Sequence, residues 1–341
     1  MRLVFSGGWI GKGGLYQARI KRVSFLKSLH ELSPESFPCF LVLSYHLASE
    51  VFSLPIKASS LPSVVLVEIE SFKAIDPREK SVSLTLLESS ISDEGFKEKV
   101  NEVKKLIEEG TVYQINLTNR FTFSLRGDPF DLFLEFYARQ PVDYAFFLDL
   151  EDFYIISGSM ELFLRREGKK LRSEPIKGTA SKRGELKKSE KDRAENLMIT
   201  DVVRNDLGMV SKCVEVKELF GIRKYKTLYH MYSAVECETT ASLKDILFAT
   251  FPPASVTGAP KRKAVEVIDS LEPHCRDFYC GCAGFLKSEE DFTLSVLIRT
   301  ALGGGKTLSY YAGCGIVWDS DPQKELREVY LKMKAFFSTS T

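Results

Sequence analysis

The chain is short of histidine, of paired cysteines, of long apolar runs and of charge of one sign. Its 341 residues hold four histidines. Zinc sites want paired Cys or Cys/His spacings. Cys275, Cys280 and Cys282 cluster, but no second pair accompanies them, so a zinc centre is not expected. The seven cysteines are odd in number. Met1 to Gly8 is too poor in apolar residues for a signal peptide, so reduced thiols in a cytoplasmic setting are expected. No apolar run approaches the roughly 20 residues of a membrane-spanning helix. Lys and Arg number 47 against 46 Asp and Glu, a net charge of +1. That balance argues against nucleic acid or an acidic membrane surface as partner. There is no internal repeat and no low-complexity tract.

What is there is ordinary globular material, 44% hydrophobic and 27% charged, enough for a sizeable core. Residues 1 to 90 read as an irregular N-terminal region packing on the core, with short β-like runs such as Val64 to Ile69. Gly7-Gly8-Trp9-Ile10-Gly11-Lys12-Gly13-Gly14 looks like a phosphate loop but lacks the Ser or Thr after Lys12; a flexible glycine turn is expected. From residue 91 to 341 the pattern is that of one α+β domain, antiparallel sheet with helices outside. Ser92 is a candidate N-cap for a helix running through Phe96, Val100, Val103 and Ile107 to a stop at Gly110. Val142–Leu150 and Phe153–Ser157 predict a hairpin turning at Glu151-Asp152. Helices are expected over 185–205 and 260–271, and another after Asp321-Pro322. Between the last two lie strands over 278–287, 292–302 and 307–318, a meander.

Several residues invite chemistry. Arg299 lies in the apolar run Leu294 to Thr300, where an unpaired guanidinium is costly. It serves either an internal salt bridge or a substrate carboxylate. Glu325, Glu328 and Lys332 share one face of the last helix, either a solvated salt-bridge face or a ligand set for a hard cation. Glu195 is an ordinary mid-helix glutamate unless a second carboxylate meets it. Ser255 to Lys261 opens a helix, an anion site or simple capping by Ser255 or Thr257. Lys177, between Pro175 and Gly178, is a solvated turn lysine unless burial or a cation lowers its pKa.

Five ordered segments carry a resemblance. They are Tyr113 to Leu117; Pro175-Ile176-Lys177-Gly178-Thr179; Glu195 through Gly208; Phe251 through Lys261; and Gly313-Cys314-Gly315-Ile316-Val317 through Lys332. Together they resemble the chorismate-utilising enzymes, which include anthranilate synthase component I, aminodeoxychorismate synthase component I and the isochorismate and salicylate synthases. The resemblance implies a large two-sheet antiparallel α/β sandwich with outer helices. It implies Mg²⁺ held by Glu195 and Glu328, and chorismate bound by Arg299, Lys332, Thr257, Gly258 and the backbone at Gly313 and Gly315. Glu161 resembles the general acid and His230 the active-site histidine. Gln114 stands where water-using members carry a lysine, which argues against water as nucleophile. Lys177 stands where anthranilate synthases carry alanine. It implies the aminodeoxychorismate branch, with Lys177 attacking C2 and ammonia then attacking C4. Met160 replaces a usual proline, and Pro253-Ala254 a usual Gly-Gly. No triad-type glutaminase pattern is present, so the resemblance implies a separate glutamine amidotransferase subunit as ammonia source. Leu86-Leu87-Glu88-Ser89 spells a tryptophan-pocket motif in the wrong place, so weak or no tryptophan inhibition is expected.

Overall fold

A computed structural model describes residues 1–33, 37–78, 80–226 and 228–336. In chain order the first elements are β1 (Arg2–Ser6), β2 (Leu15–Leu26), β3 (Cys39–Leu43), α1 (Ala48–Phe52), β4 (Val64–Ile75), β5 (Ser83–Ser89), α2 (Asp93–Glu108) and β6 (Gln114–Arg126). Then come α3 (Pro129–Arg139), β7 (Tyr144–Asp149), β8 (Tyr154–Ser159), β9 (Leu162–Glu167), β10 (Lys170–Glu174), β11 (Ile176–Ala180), α4 (Arg183–Lys188), α5 (Glu190–Gly208), β12 (Val214–Lys224) and β13 (Tyr229–Glu238). The chain continues through α6 (Leu243–Thr250), β14 (Gly258–Ala259), α7 (Lys261–Leu271), β15 (Cys282–Ser288), β16 (Asp291–Val296), β17 (Thr300–Gly304), β18 (Thr307–Ile316) and α8 (Pro322–Phe336).

All pairings are antiparallel, and they form one continuous ribbon. It runs β5–β6–β18–β17–β8–β7–β1–β2–β4–β3–β15–β16–β9–β10–β13–β12. The short strands β11 and β14 lean on β13 and β6. Folded over, the ribbon makes the expected α+β sandwich. Period-two side-chain alternation divides the core. Along β7, Tyr144, Phe146 and Leu148 enter one apolar cluster, while Ala145 and Phe147 enter another. The second cluster also takes Phe96, Val100 and Val103 of α2, Phe133 and Phe136 of α3, Ala264 and Ile268 of α7, and Val329 of α8. These helices cover the outer face of the β6–β18–β17–β8 sheet.

Local signals set many boundaries. Ser92 caps α2 by accepting from the Gly95 N–H at 3.1 Å, and Gly110 follows with φ of 71°. The hairpin of β7 and β8 turns where Glu151 adopts φ of 75°.

Four expectations need correction. The N-terminal stretch read as irregular contains five strands of the ribbon, β1 to β5: β1 pairs with β7, β3 with β15 and β5 with β6. The glycine turn at residues 7 to 14 is closed rather than flexible. Gly7 N–H donates to Gly14 O and Lys12 N–H to Gly7 O, both at 2.8 Å, and a Cβ on Gly7 or Gly8 would collide with the backbone of Lys12 or Asp143. The helix expected over 185–205 is two helices. Ser189 ends α4 and caps α5, accepting from the Asp192 N–H at 3.2 Å. The strand expected over 292–302 breaks after Val296. β16 stays with β15 and β9, whereas β17 joins β18 and β8, and Arg299 makes the turn with φ of 52°.

Candidate active site

The sandwich brings the expected residues to one place from distant parts of the chain. Gln114 opens β6, Lys177 sits in β11, Glu195 in α5 and Gly315 near the end of β18. They meet at Gly315. A Cβ added there would lie 2.5 Å from Gln114 Nε2, 3.1 Å from Glu195 Oε2 and 3.3 Å from Lys177 Nζ. Only glycine leaves that space open.

Lys177 is buried, at 9% exposure, so it is not the solvated turn lysine that spacing alone allows. Burial pushes its pKa below the ordinary lysine value. Glu195 opposes the shift, Lys332 adds to it, and Glu161 and Glu328 oppose it further. Glu195 is pushed up by burial, against Lys177 and Lys191, with Glu328 adding to the rise. Both members of the Lys177–Glu195 couple are thus moved toward their neutral forms.

Glu161 lies between β8 and β9 and is 3% exposed. Burial raises its pKa to about 7, against a hydrogen bond from Ser255, the Ile176 N–H at 3.3 Å and the Lys177 charge. A carboxyl at that value can donate a proton near neutral pH. His230 faces Thr179 across the β11–β13 pairing, its Nδ1 sharing a hydrogen bond with the Thr179 hydroxyl at 2.8 Å. Burial, with Arg299 and Lys332 nearby, drives it down to about 4. It is therefore neutral at pH 7. Among the described residues its buried Nε2 has no hydrogen-bond partner, and neither has Gln114 Oε1.

The cationic side is built by α8 and the turn between β16 and β17. Lys332 Nζ pairs with Glu328 Oε1 at 2.7 Å and donates to Gly313 O at 2.7 Å. Arg299 Nη1 donates to Lys332 O at 2.8 Å. Among the described residues Arg299 has no carboxylate partner, so the internal salt bridge is absent. Of the α8 face, Glu325 is turned inward at 2% exposure and pairs with Lys191 at 2.9 Å. Glu328 is half-exposed and is held low chiefly by Lys332.

Two expectations about the Ser255–Lys261 segment are revised. Neither Ser255 nor Thr257 caps α7. The cap position is Pro260, without a side-chain bond, and Thr257 donates its hydroxyl to Pro253 O at 2.9 Å. Nor does the helix start abut Gly258. Gly258 and Ala259 pair with Ile115 and Gln114 first. Lys261 is buried against Asp206 at 2.9 Å.

Sequence reading missed Lys191 and Thr179. Lys191 reaches Glu325 at 2.9 Å and Glu195 at 3.8 Å; its spacing of four from Glu195 was the available signal. Thr179 was visible only as the last residue of a motif.

Glu195 and Glu328 fit a hard divalent cation chemically. They are oxygen donors that feel each other's charge, and Mg²⁺ is bound by one or two carboxylates with waters and substrate oxygens. No group of three or more His, Cys, Asp or Glu among the described residues is arranged as a metal cage. Cys280 and Cys282 are buried thiols raised by burial, and Cys275 donates to Ala58 O at 3.0 Å.

A known protein family matches most of the chain. The model of that family, described as chorismate binding enzyme, matches residues 57–338, and the chain belongs to the family. Among curated relatives it is similar to aminodeoxychorismate synthase component 1 of Bacillus subtilis (strain 168), 35% identical over 292 residues, covering 81% of this chain and 62% of that protein. The same-named protein of Escherichia coli (strain K12) is 35% identical over 75% of this chain and 60% of its own length. Anthranilate synthase component 1 of Aquifex aeolicus (strain VF5) is 34% identical, over 72% and 53%. The chain thus spans somewhat over half the length of these relatives. The solved menaquinone-specific isochorismate synthase from Escherichia coli superposes with a TM-score of 0.80 at 17% identity, covering 98% of this chain and 87% of that one. Anthranilate synthase component I from Streptococcus pneumoniae TIGR4 gives 0.77 at 24%, covering 98% and 90%. These two establish the shared fold. No helix among the described residues is long and apolar enough to cross a membrane.

Proposed function

We propose that the chain aminates chorismate at C4, as the component I activity of an aminodeoxychorismate synthase, with Lys177 as nucleophile. The observation that carries this reading is the buried Lys177 amine, shifted below the ordinary lysine range, beside Glu195 and Gln114 in the space left by Gly315. An amine is a nucleophile only when unprotonated, and burial favours that form.

In the proposed sequence Lys177 Nζ forms a bond to C2. The two ring double bonds shift toward C4, and the 4-hydroxyl leaves as water with the Glu161 proton. The C2-bound Nζ sheds its extra proton back to Glu161; ammonia then bonds to C4, the double bonds shift back, the C2–Nζ bond breaks, and the proton shed by the new amine goes to the departing Nζ. The net change is chorismate plus ammonia to 4-amino-4-deoxychorismate plus water. Splitting one displacement into two easier steps is the gain of covalent catalysis. Arg299 and Lys332 hold the substrate's carboxylates, and Thr257, Gly258 and the Gly313 and Gly315 backbone line its ring. Neutral His230 offers Nε2 as an uncharged hydrogen-bonding group, and Gln114 takes the place of a water-activating base. Mg²⁺, held by Glu195 and Glu328, would bind the ring carboxylate and neutralise charge there.

Residues 91–341 serve as the catalytic domain, since every proposed site residue falls within them. Ammonia comes from a separate glutamine amidotransferase subunit, a reading supported by the name component 1 borne by the relatives. The seven free thiols suit a cytoplasmic setting.

The test is product analysis with chorismate, ammonia and Mg²⁺, with and without a glutaminase partner. The expected product is an aminated species that a lyase converts to 4-aminobenzoate. Anthranilate would assign the chain to the other aminating branch. Chorismate binding without turnover would make it a binding subunit.

A further inference from the structure

On the edge of β6 away from β18, the strand neighbours leave a gap. β14 pairs as far as Ile115, and β5 takes over at Phe121. Between them the outward backbone groups of Asn116 and Thr118 need partners, since buried amides and carbonyls are rarely left bare. Two side chains from the end of α7 and the following turn supply them. Glu272 accepts the Thr118 N–H at 2.8 Å. Arg276 donates Nη2 to Asn116 O at 2.6 Å and Nη1 to Val256 O at 2.9 Å. The two are joined by Arg276 Nε to Glu272 Oε2 at 2.9 Å and Nη2 to Glu272 Oε1 at 2.6 Å. Both are buried, at 2% and 3% exposure. His274 completes the splice, its ring between Ser90 Oγ at 2.8 Å and Thr118 Oγ1 at 3.1 Å.

The carbonyls that Arg276 grips belong to two segments of the site. Asn116 lies two residues from Gln114. Val256 precedes Thr257 and Gly258, and the Asn116 N–H donates to Thr257 O at 2.9 Å. We propose that Arg276, oriented by Glu272, is a positioning residue that sets the spacing between the Gln114 strand and the Thr257–Gly258 loop, and so the width of the substrate-binding cleft. The planar guanidinium reaches two carbonyls and a carboxylate at once; a lysine ammonium at the end of a flexible stem lacks that fixed fork. The inference rests on the chorismate reading above for its kinetic readout.

The experiment compares Arg276→Lys, which keeps the charge, and Glu272→Gln, which keeps the shape, with the native chain. For each, Tm, kcat and KM for chorismate are measured, together with hydrogen exchange of the 114–118 peptide against the 39–43 peptide of β3. A part that only held the fold together would lower Tm and the active fraction, leaving KM and local exchange alone. Misplacement near 1 Å can cost about a hundredfold. We expect kcat/KM for Arg276→Lys to fall by that order, with KM raised, and the 114–118 peptide to exchange faster while 39–43 does not. Glu272→Gln shifts the same quantities in the same direction. A folded Arg276→Lys or Glu272→Gln with unchanged KM and unchanged 114–118 exchange overturns the proposal. The exchange readout needs no turnover. A native chain inactive on chorismate would therefore sink the functional reading while leaving the splice to stand or fall by itself.

Discussion

Glu161 and Lys177 are moved by one cause with opposite sign. Burial disfavours the charged form of each, so the acid rises to about 7 and the amine falls. For Glu161 the folded value lies above the unfolded one. The folded state therefore holds more protons between about pH 4.5 and 7, and stability declines as pH rises through that window. Glu161→Gln removes that cost. At pH 8 its unfolding free energy should rise by up to about 3 kcal/mol, while kcat falls by about 10²- to 10⁴-fold. Urea unfolding at pH 8 and pH 4.5 checks the first point; equal stability differences at both would contradict it. A second residue-level prediction concerns Gly315. Gly315→Ala keeps its backbone but puts a methyl against Gln114, Glu195 and Lys177. We expect Tm within a few degrees of the parent and kcat/KM down by about a hundredfold; unimpaired kinetics would show that the space is not used. Sequence located these residues only through the resemblance. Taken singly, Lys177 between proline and glycine reads as solvated, because nothing local reports the β13 and α5 neighbours that bury it.

At the scale of elements, α5 and α7 are tied by the buried Asp206–Lys261 pair at 2.9 Å. Lys261 Nζ also donates to Thr250 O at 2.7 Å. Removing one partner of a buried pair costs more than replacing both. Lys261→Met should destabilise by about 3 kcal/mol, and Asp206→Leu/Lys261→Met by clearly less, measured by denaturant unfolding. Equal losses would mean the pair is not a unit. What sequence shows of elements is what caps and turns show. Ser92, Gly110 and Glu151 mark boundaries because their signals are local. The break at Arg299 was hidden. Leu294 to Thr300 reads as one strand, yet its halves hydrogen-bond to different partners, a tertiary choice that period-two patterning does not record.

For the whole molecule, non-local pairing explains the largest miss. β1 and β3 each have one partner within the first 90 residues, β2 and β4, and one more than 100 residues away, β7 and β15, and it is the distant pairings that local patterning does not show. The antiparallel α+β class was nevertheless legible, since hairpin spacing and helical periodicity in the later chain are local. Two buried histidines act against Glu161 at acid pH. His230 and His274 are each lowered to about 4, chiefly by burial. Below about pH 6.5 the unfolded chain takes up their protons first, so their contribution is intact above that pH and is lost as pH falls toward 4. Glu161 and Asp206, raised to about 7 and about 6, act in the opposite sense over the same window, so the histidine share is read as a difference: between pH 6.5 and 4 the parent's Tm should fall relative to that of His230→Gln/His274→Gln, and an unchanged difference would contradict it.

The central claim is a bond between Lys177 and the chorismate ring. Mass spectrometry of the peptide carrying Lys177, after incubation with chorismate and Mg²⁺ in the absence of ammonia, tests it directly. The expected result is a gain equal to chorismate less one water, located on Lys177, abolished in Lys177→Ala and discharged when ammonia is added. An unmodified Lys177 in an enzyme that goes on to aminate chorismate, with Lys177→Ala turning over as fast as the parent, would contradict it.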